Sequence, residues 1–227
     1  DTMHDDVFLI MNEGWEGAAK PRKTIEDKDR KLSETPDLVV GAGRTAAKYK
    51  MDLIPPALII DRYLGAEKAK LDALALKAEE ATRELEEYLE EHAVEDGLLA
   101  YAMEDDKISR ALVVARLKVA KVERAEREEV DALITAMKLY DMEAAAKKAT
   151  KEAQTALDAA ALKKYGGLTT AQIQDLVLGN KWAAAISDRV DGEVNALTLA
   201  LVQRIQELGE RYAQTVVDLD ELLGELE

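Results

Sequence analysis

The sequence predicts an all-α protein, in which a long antiparallel helical hairpin precedes a long C-terminal coiled-coil-type helix. The composition is 48% apolar and 34% charged but only 4% aromatic, which is typical of long packed helices. Three tracts also repeat apolar residues at heptad spacing, at roughly residues 56–92, 126–164 and 181–224. At 1.5 Å per residue each would be about 55–65 Å long. Helices longer than a compact domain requires usually bind a partner.

The first part of the chain, residues 1–50, is predicted to be an irregular segment with at most short strands. The apolar run from Asp6 to Met11 could be a strand. Residues 18–50 read as loop because prolines and glycines interrupt them. These are Pro21, Pro36, Gly41 and Gly43. The chain also begins abruptly, so we expect a linker or small subdomain that follows an absent catalytic domain.

Residues 51–168 are predicted to form the helical hairpin. Pro55 and Pro56 suit the first turn of a helix, because their missing N–H groups need no partner there. The apolar positions that follow at heptad spacing are Leu64, Leu71, Ala78 and Leu85. The second tract has a similar length and is alanine-rich in its C-terminal half, which lets a neighbouring helix approach closely. Two such helices joined by a compact connection favour an antiparallel pair.

The connection between the two tracts is predicted to be a helical tip. Short helices are expected at Leu98–Met103 and at Ser109–Lys121. Ser109 is a plausible N-cap, because its hydroxyl can accept a bond from a backbone N–H of the first turn.

Residues 169–227 are predicted to be a short helix followed by a long interaction helix. Gly166 is expected to end the hairpin in a left-handed conformation. Thr169 and Gln172 form a capping-box pattern, and Gly179 is expected to end the short helix. The last tract carries a heptad face at Val194, Leu201, Ile205, Leu208, Tyr212, Leu219 and Leu222. This face could pack on the hairpin or bind a partner helix, and its pattern still runs at the end, so we expect the helix to continue.

The charge is uneven. The chain carries a net charge of −15, to which residues 51–227 contribute −14, from 22 basic and 36 acidic residues. That part would repel phosphate. Residues 18–50 instead hold nine basic residues against five acidic ones, which indicates a solvated loop face or an edge that contacts DNA phosphates. The candidate DNA-backbone residues are Arg22, Lys23, Arg30 and Lys31.

No residue pattern indicates catalysis, cofactor binding or a metal site. The segment Leu38–Ala46 resembles a G-x-G-x-x-A fingerprint, but the strand is too short and Pro55 follows too soon for a βαβ unit. His4 and His92 lie far apart in the sequence. The absence of cysteine suits a reducing cytoplasm. No apolar run is long enough to span a membrane, so we expect a cytoplasmic protein without a membrane partner.

Several stretches resemble the C-terminal part of type I restriction-modification DNA methyltransferase (M) subunits. The resemblance extends over essentially the whole chain, and the stretches that carry it are Met3–Trp15, Lys20–Lys31, Lys48–Tyr63, Lys164–Trp182 and Gly192–Ala213. The resemblance implies a parent adenine-N6 DNA methyltransferase that uses S-adenosylmethionine. The cofactor-binding and Asn-Pro-Pro-aromatic motifs of that family have no counterpart in this sequence, so these residues are expected to be non-catalytic and to hold no cofactor.

The resemblance also implies partners. Type I M subunits assemble with a DNA-specificity (S) subunit and a restriction (R) subunit, and reach DNA through the assembled complex. The C-terminal helices are expected to pack against helices of the S subunit. Two alternatives remain open: the basic segment contacts the DNA backbone directly, or the chain is a self-associating coiled coil unrelated to restriction.

Overall fold

The fold is mainly helical. The computed structural model describes residues 2–24, 34–41, 43, 46–105, 107–213, 218 and 223–224. Helices dominate these residues, and their strands are short and antiparallel. The predicted fold class is therefore confirmed. The chain divides into two compact units. We call residues 16–168 the hairpin unit, and residues 1–15 with 169–227 the terminal unit.

The hairpin unit is built around two long helices. In chain order its elements are β1 (Arg22–Lys23), β2 (Leu38–Val40), β3 (Ala47–Lys50), α2 (Pro56–Tyr63), α3 (Gly65–His92), a 3₁₀ turn (Ala100–Ala102), β4 (Met103–Glu104), β5 (Lys107–Ile108), α4 (Arg110–Glu123) and α5 (Arg127–Tyr165). The long helices α3 and α5 run antiparallel. The contacts that show it are Thr150 Oγ1 to Leu74 O (3.1 Å), Thr82 Oγ1 to Glu143 Oε1 (3.2 Å) and Tyr88 Oη to Ala132 O (3.3 Å). Residue numbers thus rise along α3 as they fall along α5.

The interface between α3 and α5 uses small side chains. Ala78 and Ala81 of α3 are buried, as are Ala132 and Ala136 of α5. Methyl groups at these positions let the two helices approach closely. The close approach was expected in the alanine-rich C-terminal half of α5 instead, where Ala145, Ala156 and Ala159 are exposed and Ala146 and Ala153 are half-buried.

The first predicted tract is not one helix. Leu64 has φ −126° and ψ 31°, and this non-helical residue separates α2 from α3. The helices on either side keep the same apolar spacing. Heptad counting therefore does not detect the interruption, although Gly65 directly after it is a residue that costs helix stability.

The tip differs from the prediction in its first half. In place of a helix at Leu98–Met103, a 3₁₀ turn leads into the two-stranded ribbon β4–β5. Asp105 in its turn has φ 50°, a left-handed conformation that Asp tolerates better than most residues. The second half agrees: Ser109 caps α4 by accepting a bond from the N–H of Leu112 (3.4 Å).

A three-stranded antiparallel sheet in the order β1–β3–β2 precedes the hairpin, as the prediction of short strands allows. The far end of α5 is fixed to the segment after this sheet. The Tyr165 hydroxyl donates to the carbonyl oxygen of Ile54 at 2.6 Å, and both residues are buried. Burial raises the pKa of Tyr165, which keeps the hydroxyl protonated as a donor.

The terminal unit contains a helix where a strand was expected. Helix α1 spans Thr2–Ala18 and is interrupted at Gly14, which has φ 71° and ψ 170°. The strand expected at Asp6–Met11 was wrong. A short apolar run does not distinguish strand from helix by periodicity. Asp6 is buried, whereas the next two residues, Val7 and Phe8, are exposed, as expected for a helix that buries only one face.

From Thr170 to Arg211 the terminal unit is one continuous helical run. Helix α6 (Thr170–Asp175) passes through a π-helical segment (Leu176–Ala183) into α7 (Ala184–Arg211). The capping box is confirmed: Thr169 Oγ1 accepts from the N–H of Gln172 at 3.3 Å, and Gln172 Oε1 accepts from the N–H of Thr169 at 3.0 Å.

The two glycine predictions had different outcomes. Helix α5 ends at Tyr165, directly before Gly166, as expected, but Gly166 has φ −68°, which is a right-handed and not a left-handed conformation. Gly179 does not end the short helix but lies inside the π-helical segment. The widened π turn continues the helix past the glycine. Among the helices that the structure describes, none has an apolar stretch sufficient to cross a membrane.

Truncating the tip core should destabilise the hairpin unit. Leu133 is fully buried among side chains of α4 and α5, so Leu133→Ala should lower the free energy of unfolding by about 3 kcal/mol. Urea denaturation followed by circular dichroism measures the change. Leu76→Ala, at a position 66% exposed, is the matched control and should cost less than about 0.5 kcal/mol. Equal losses would contradict the described packing.

Removing the Tyr165 hydroxyl should also weaken the hairpin unit. Tyr165→Phe leaves the buried carbonyl of Ile54 without this donor, so we expect a loss of about 1–3 kcal/mol in the free energy of unfolding. The control is Tyr101→Phe, at a residue 77% exposed. If both variants unfold at the same urea concentration as the unmodified chain, the buried hydrogen bond does not stabilise the fold.

Candidate partner-helix interface

Helix α7 buries nothing. Every described residue from Ala183 to Ala213 is exposed, and α7 has no buried residue. By contrast, α5 buries residues near both of its ends. An exposed helix of 28 residues is not stabilised by tertiary packing, which is the main source of helix stability in proteins.

Most of the large apolar residues of this exposed helix lie on one face. We call this face the apolar stripe, and it comprises Ile186, Val190, Val194, Leu197, Leu201, Ile205, Leu208 and Tyr212. Each is between 36% and 71% exposed. At 100° per residue they all fall within an arc of about 100°, and the stripe is about 39 Å long. This is the geometry of a helix face that packs on another helix.

The spacing of the stripe repeats after eleven residues. Ile186 is followed by Leu197 and Leu208, Val190 by Leu201 and Tyr212, and Val194 by Ile205. Eleven residues over three turns give about 3.67 residues per turn, which favours a slightly right-handed packing.

Heptad counting identifies only part of the stripe. The structure places the predicted Val194, Leu201, Ile205, Leu208 and Tyr212 together on this exposed face. It adds three residues that the seven-residue count missed, Ile186, Val190 and Leu197. The 4-4-3 spacing is the sequence signal that finds them. The predicted interface residues Leu219 and Leu222 lie outside the described residues.

The stripe is large for an unpartnered surface. If each side chain exposes roughly 100 Å², the eight present roughly 800 Å², more than the largest apolar patch of most monomers. About 800 Å² is also what one partner contributes to a protein interface of standard size. Its area therefore fits a binding surface.

The base of α7 is fixed to α1 by a buried carboxylate. Asp6 is only 3% exposed. It accepts hydrogen bonds from Lys181 Nζ and from Trp182 Nε1, both at 2.7 Å. Both donors belong to the π-helical segment, and π turns frequently mark functional positions. This network links α1 to the residues directly before α7.

Sequence reasoning missed the Asp6 network. A single acidic residue at the start of the apolar run is the only signal for it. Its partners lie 175 and 176 residues away in the sequence, and no local pattern identifies donors at that separation.

Of the four residues proposed to contact the DNA backbone, the structure describes two, Arg22 and Lys23. The Arg22 guanidinium donates to both carboxylate oxygens of Glu34, at 2.6 and 2.8 Å, and to Asp52. These hydrogen bonds, first with Glu34 and then with Asp52, raise the pKa of Arg22. Lys23 is exposed on β1. Arg30 and Lys31 lie outside the described residues. Arg22 is therefore paired with two carboxylates.

The glycine-rich segment that resembles a dinucleotide fingerprint lies between two strands, β2 and β3. β2 pairs antiparallel with β3, with Leu38 opposite Tyr49. A dinucleotide fingerprint needs a strand that is followed by a helix. Within the described ranges, His, Asp and Glu side chains form no group of three or more able to hold a metal ion.

No protein-family model, no curated protein and no solved structure matches the chain.

Disrupting the Asp6 network should loosen the terminal unit. Asp6→Ala removes the carboxylate that Lys181 and Trp182 share, and breaking such a buried charged contact costs about 3 kcal/mol. Denaturation followed by tryptophan fluorescence should show unfolding at lower urea. Asp5→Ala, at an exposed neighbour, is the control. An unchanged midpoint for Asp6→Ala would show that the network does not hold α1 to the base of α7.

Proposed function

We propose that this chain is the helical C-terminal assembly module of a type I restriction-modification adenine-N6 DNA methyltransferase subunit. In this function α7 packs against helices of the DNA-specificity subunit. The single observation that carries the proposal is the apolar stripe, whose side chains are all exposed.

The stripe supports a helical partner in three respects. Its arc of about 100° is the width of a helix contact. Its 11-residue period keeps the contact aligned over many turns of a nearly straight pair. Its flanks carry charged groups, such as the Arg204–Glu207 pair at 2.9 Å, which suit the polar rim of an interface.

The identity of the partner comes from the resemblance. The stretches from Lys164 to Trp182 and from Gly192 to Ala213 resemble those of M subunits, and together they span the π-helical segment and α7. In that family the specificity subunit supplies helices for the C-terminal helices of the M subunit. The module would act in the cytoplasm, together with the restriction subunit, and contact DNA through the assembled complex.

Chemistry belongs to the parent protein in this proposal. S-adenosylmethionine would bind outside these residues, and the module itself would carry no catalytic group. Of the two alternatives, direct DNA contact is less favoured because carboxylates already occupy Arg22. Self-association through the stripe is the other, and it is an outcome of the test below.

Charging the stripe should abolish assembly. Leu201→Asp with Leu208→Asp introduces two carboxylates into the stripe, where Leu201 is 60% and Leu208 36% exposed. Because both side chains become buried on binding, affinity for the specificity subunit should fall by at least about 100-fold. Co-purification of the tagged specificity subunit with the chain gives the first readout, and calorimetry gives the affinity.

Leu199→Asp is the matched control. Leu199 is 69% exposed, but at 100° per residue it faces away from the stripe, so its substitution should leave binding unchanged. Binding of the double variant that equals the unmodified chain would rule out the stripe as the interface. Failure of the unmodified chain to bind, together with dimers that the double variant loses, would favour self-association.

A further inference from the structure

A preformed groove lies at the tip of the hairpin unit, remote in sequence from α7. It consists of two adjoining hollows of about 590 and 380 Å³. Tyr101 and Arg116 line both hollows and join them. We call the joined hollows the tip groove.

The tip groove has a rigid floor. The buried cluster beneath it contains side chains from the 3₁₀ turn, α4 and α5, which are Leu99, Ala102, Val113, Leu117, Ala120, Ala132, Leu133 and Ala136. Binding sites are usually largely formed before the ligand arrives. A groove on a packed core meets that condition without any loop rearrangement.

Part of the lining of the tip groove is apolar and exposed to solvent. Tyr101 is 77% exposed, Val119 is 45% exposed and Leu98 is 39% exposed. These side chains come from the tip segment and from α4. Their position around one concave surface distinguishes them from apolar residues scattered singly on a surface, which need no explanation. A ligand with apolar side chains would remove them from water.

The charge of the groove is negative. Arg116 is already paired, with Glu129 at 2.6 Å and with Glu123 at 3.2 Å. Glu126 lines one hollow and Glu104 the other. Neither has a hydrogen bond or an ion pair to another described side chain. The lining of the tip groove therefore contains one guanidinium and four carboxylates.

The tip groove also contains an exposed aromatic ring, that of Tyr101. The Arg116 guanidinium carbon lies 4.9 Å from the centroid of the Tyr101 ring, so this ring already binds a cation. The high exposure of Tyr101 leaves ring surface for a second one. Tyrosine faces beside carboxylates attract Arg and Lys side chains.

We propose that the tip groove docks a segment of another protein chain that carries apolar side chains flanked by Arg or Lys. The apolar side chains would fill the two hollows around Tyr101. The basic groups would pair with Glu104 at one end and Glu126 at the other. This surface belongs to the hairpin unit, so it is a second docking site and does not depend on the function proposed for α7.

The probe for the test is a fluorescein-labelled peptide of Leu, Ala and Arg, used with the full chain at an ionic strength of about 0.15 M. Fluorescence anisotropy should show binding below about 100 μM. The same peptide with Glu in place of Arg should not bind. Tyr101→Ala should weaken binding about tenfold, because it removes the apolar centre and the ring face.

A matched pair of double variants separates docking from general attraction to an acidic protein. Glu104→Gln with Glu126→Gln should weaken binding about tenfold. Glu79→Gln with Glu86→Gln removes the same charge from exposed positions on α3, and should leave binding unchanged. Equal weakening by both pairs, or no binding of the Arg peptide, would overturn the proposal. Dimers of the chain that Tyr101→Ala dissociates would also overturn it, because a second copy would then occupy the groove.

Discussion

The close packing of α3 against α5 is the interaction on which the hairpin unit depends. Ala78 and Ala81 of α3 are buried, and contacts from Leu74 to Tyr88 fix the antiparallel register of the two helices. The tip core and the Tyr165 hydrogen bond are then built at opposite ends of this pair. Because the interface uses small side chains, larger residues would force the helices apart and disturb both ends together.

Helix α7, by contrast with α3 and α5, buries none of its residues. Its apolar face is regular and exposed. A helix of that kind is stabilised when a partner buries its face. The Asp6 network fixes only its base, through two donors on the π-helical segment. The chain therefore combines a hairpin that buries its own contacts with a helix that presents its contacts outward.

Sequence patterns were sufficient where the determining residues are close together. Ser109 capping α4 and the Thr169–Gln172 box each involve a few neighbouring residues, and both were predicted. The helical break at Leu64 was missed because apolar spacing continues through it, and the π-helical segment was missed because Gly179 indicated a helix end. The pairing of Arg22 with Glu34 and Asp52 was missed as well, since it depends on how the sheet folds back. Counting at seven residues found five of the stripe positions, whereas the 11-residue period gives all eight.

The central claim is that a partner helix covers the apolar stripe. Hydrogen–deuterium exchange of the α7 amides, with and without the specificity subunit, tests it most directly. An exposed helix held only at its base opens readily, so its amides should exchange quickly in the free chain. Binding should slow exchange from about Ile186 to Tyr212 and leave α3 and α5 unchanged. Equal exchange of the α7 amides in the free and mixed samples would contradict the account.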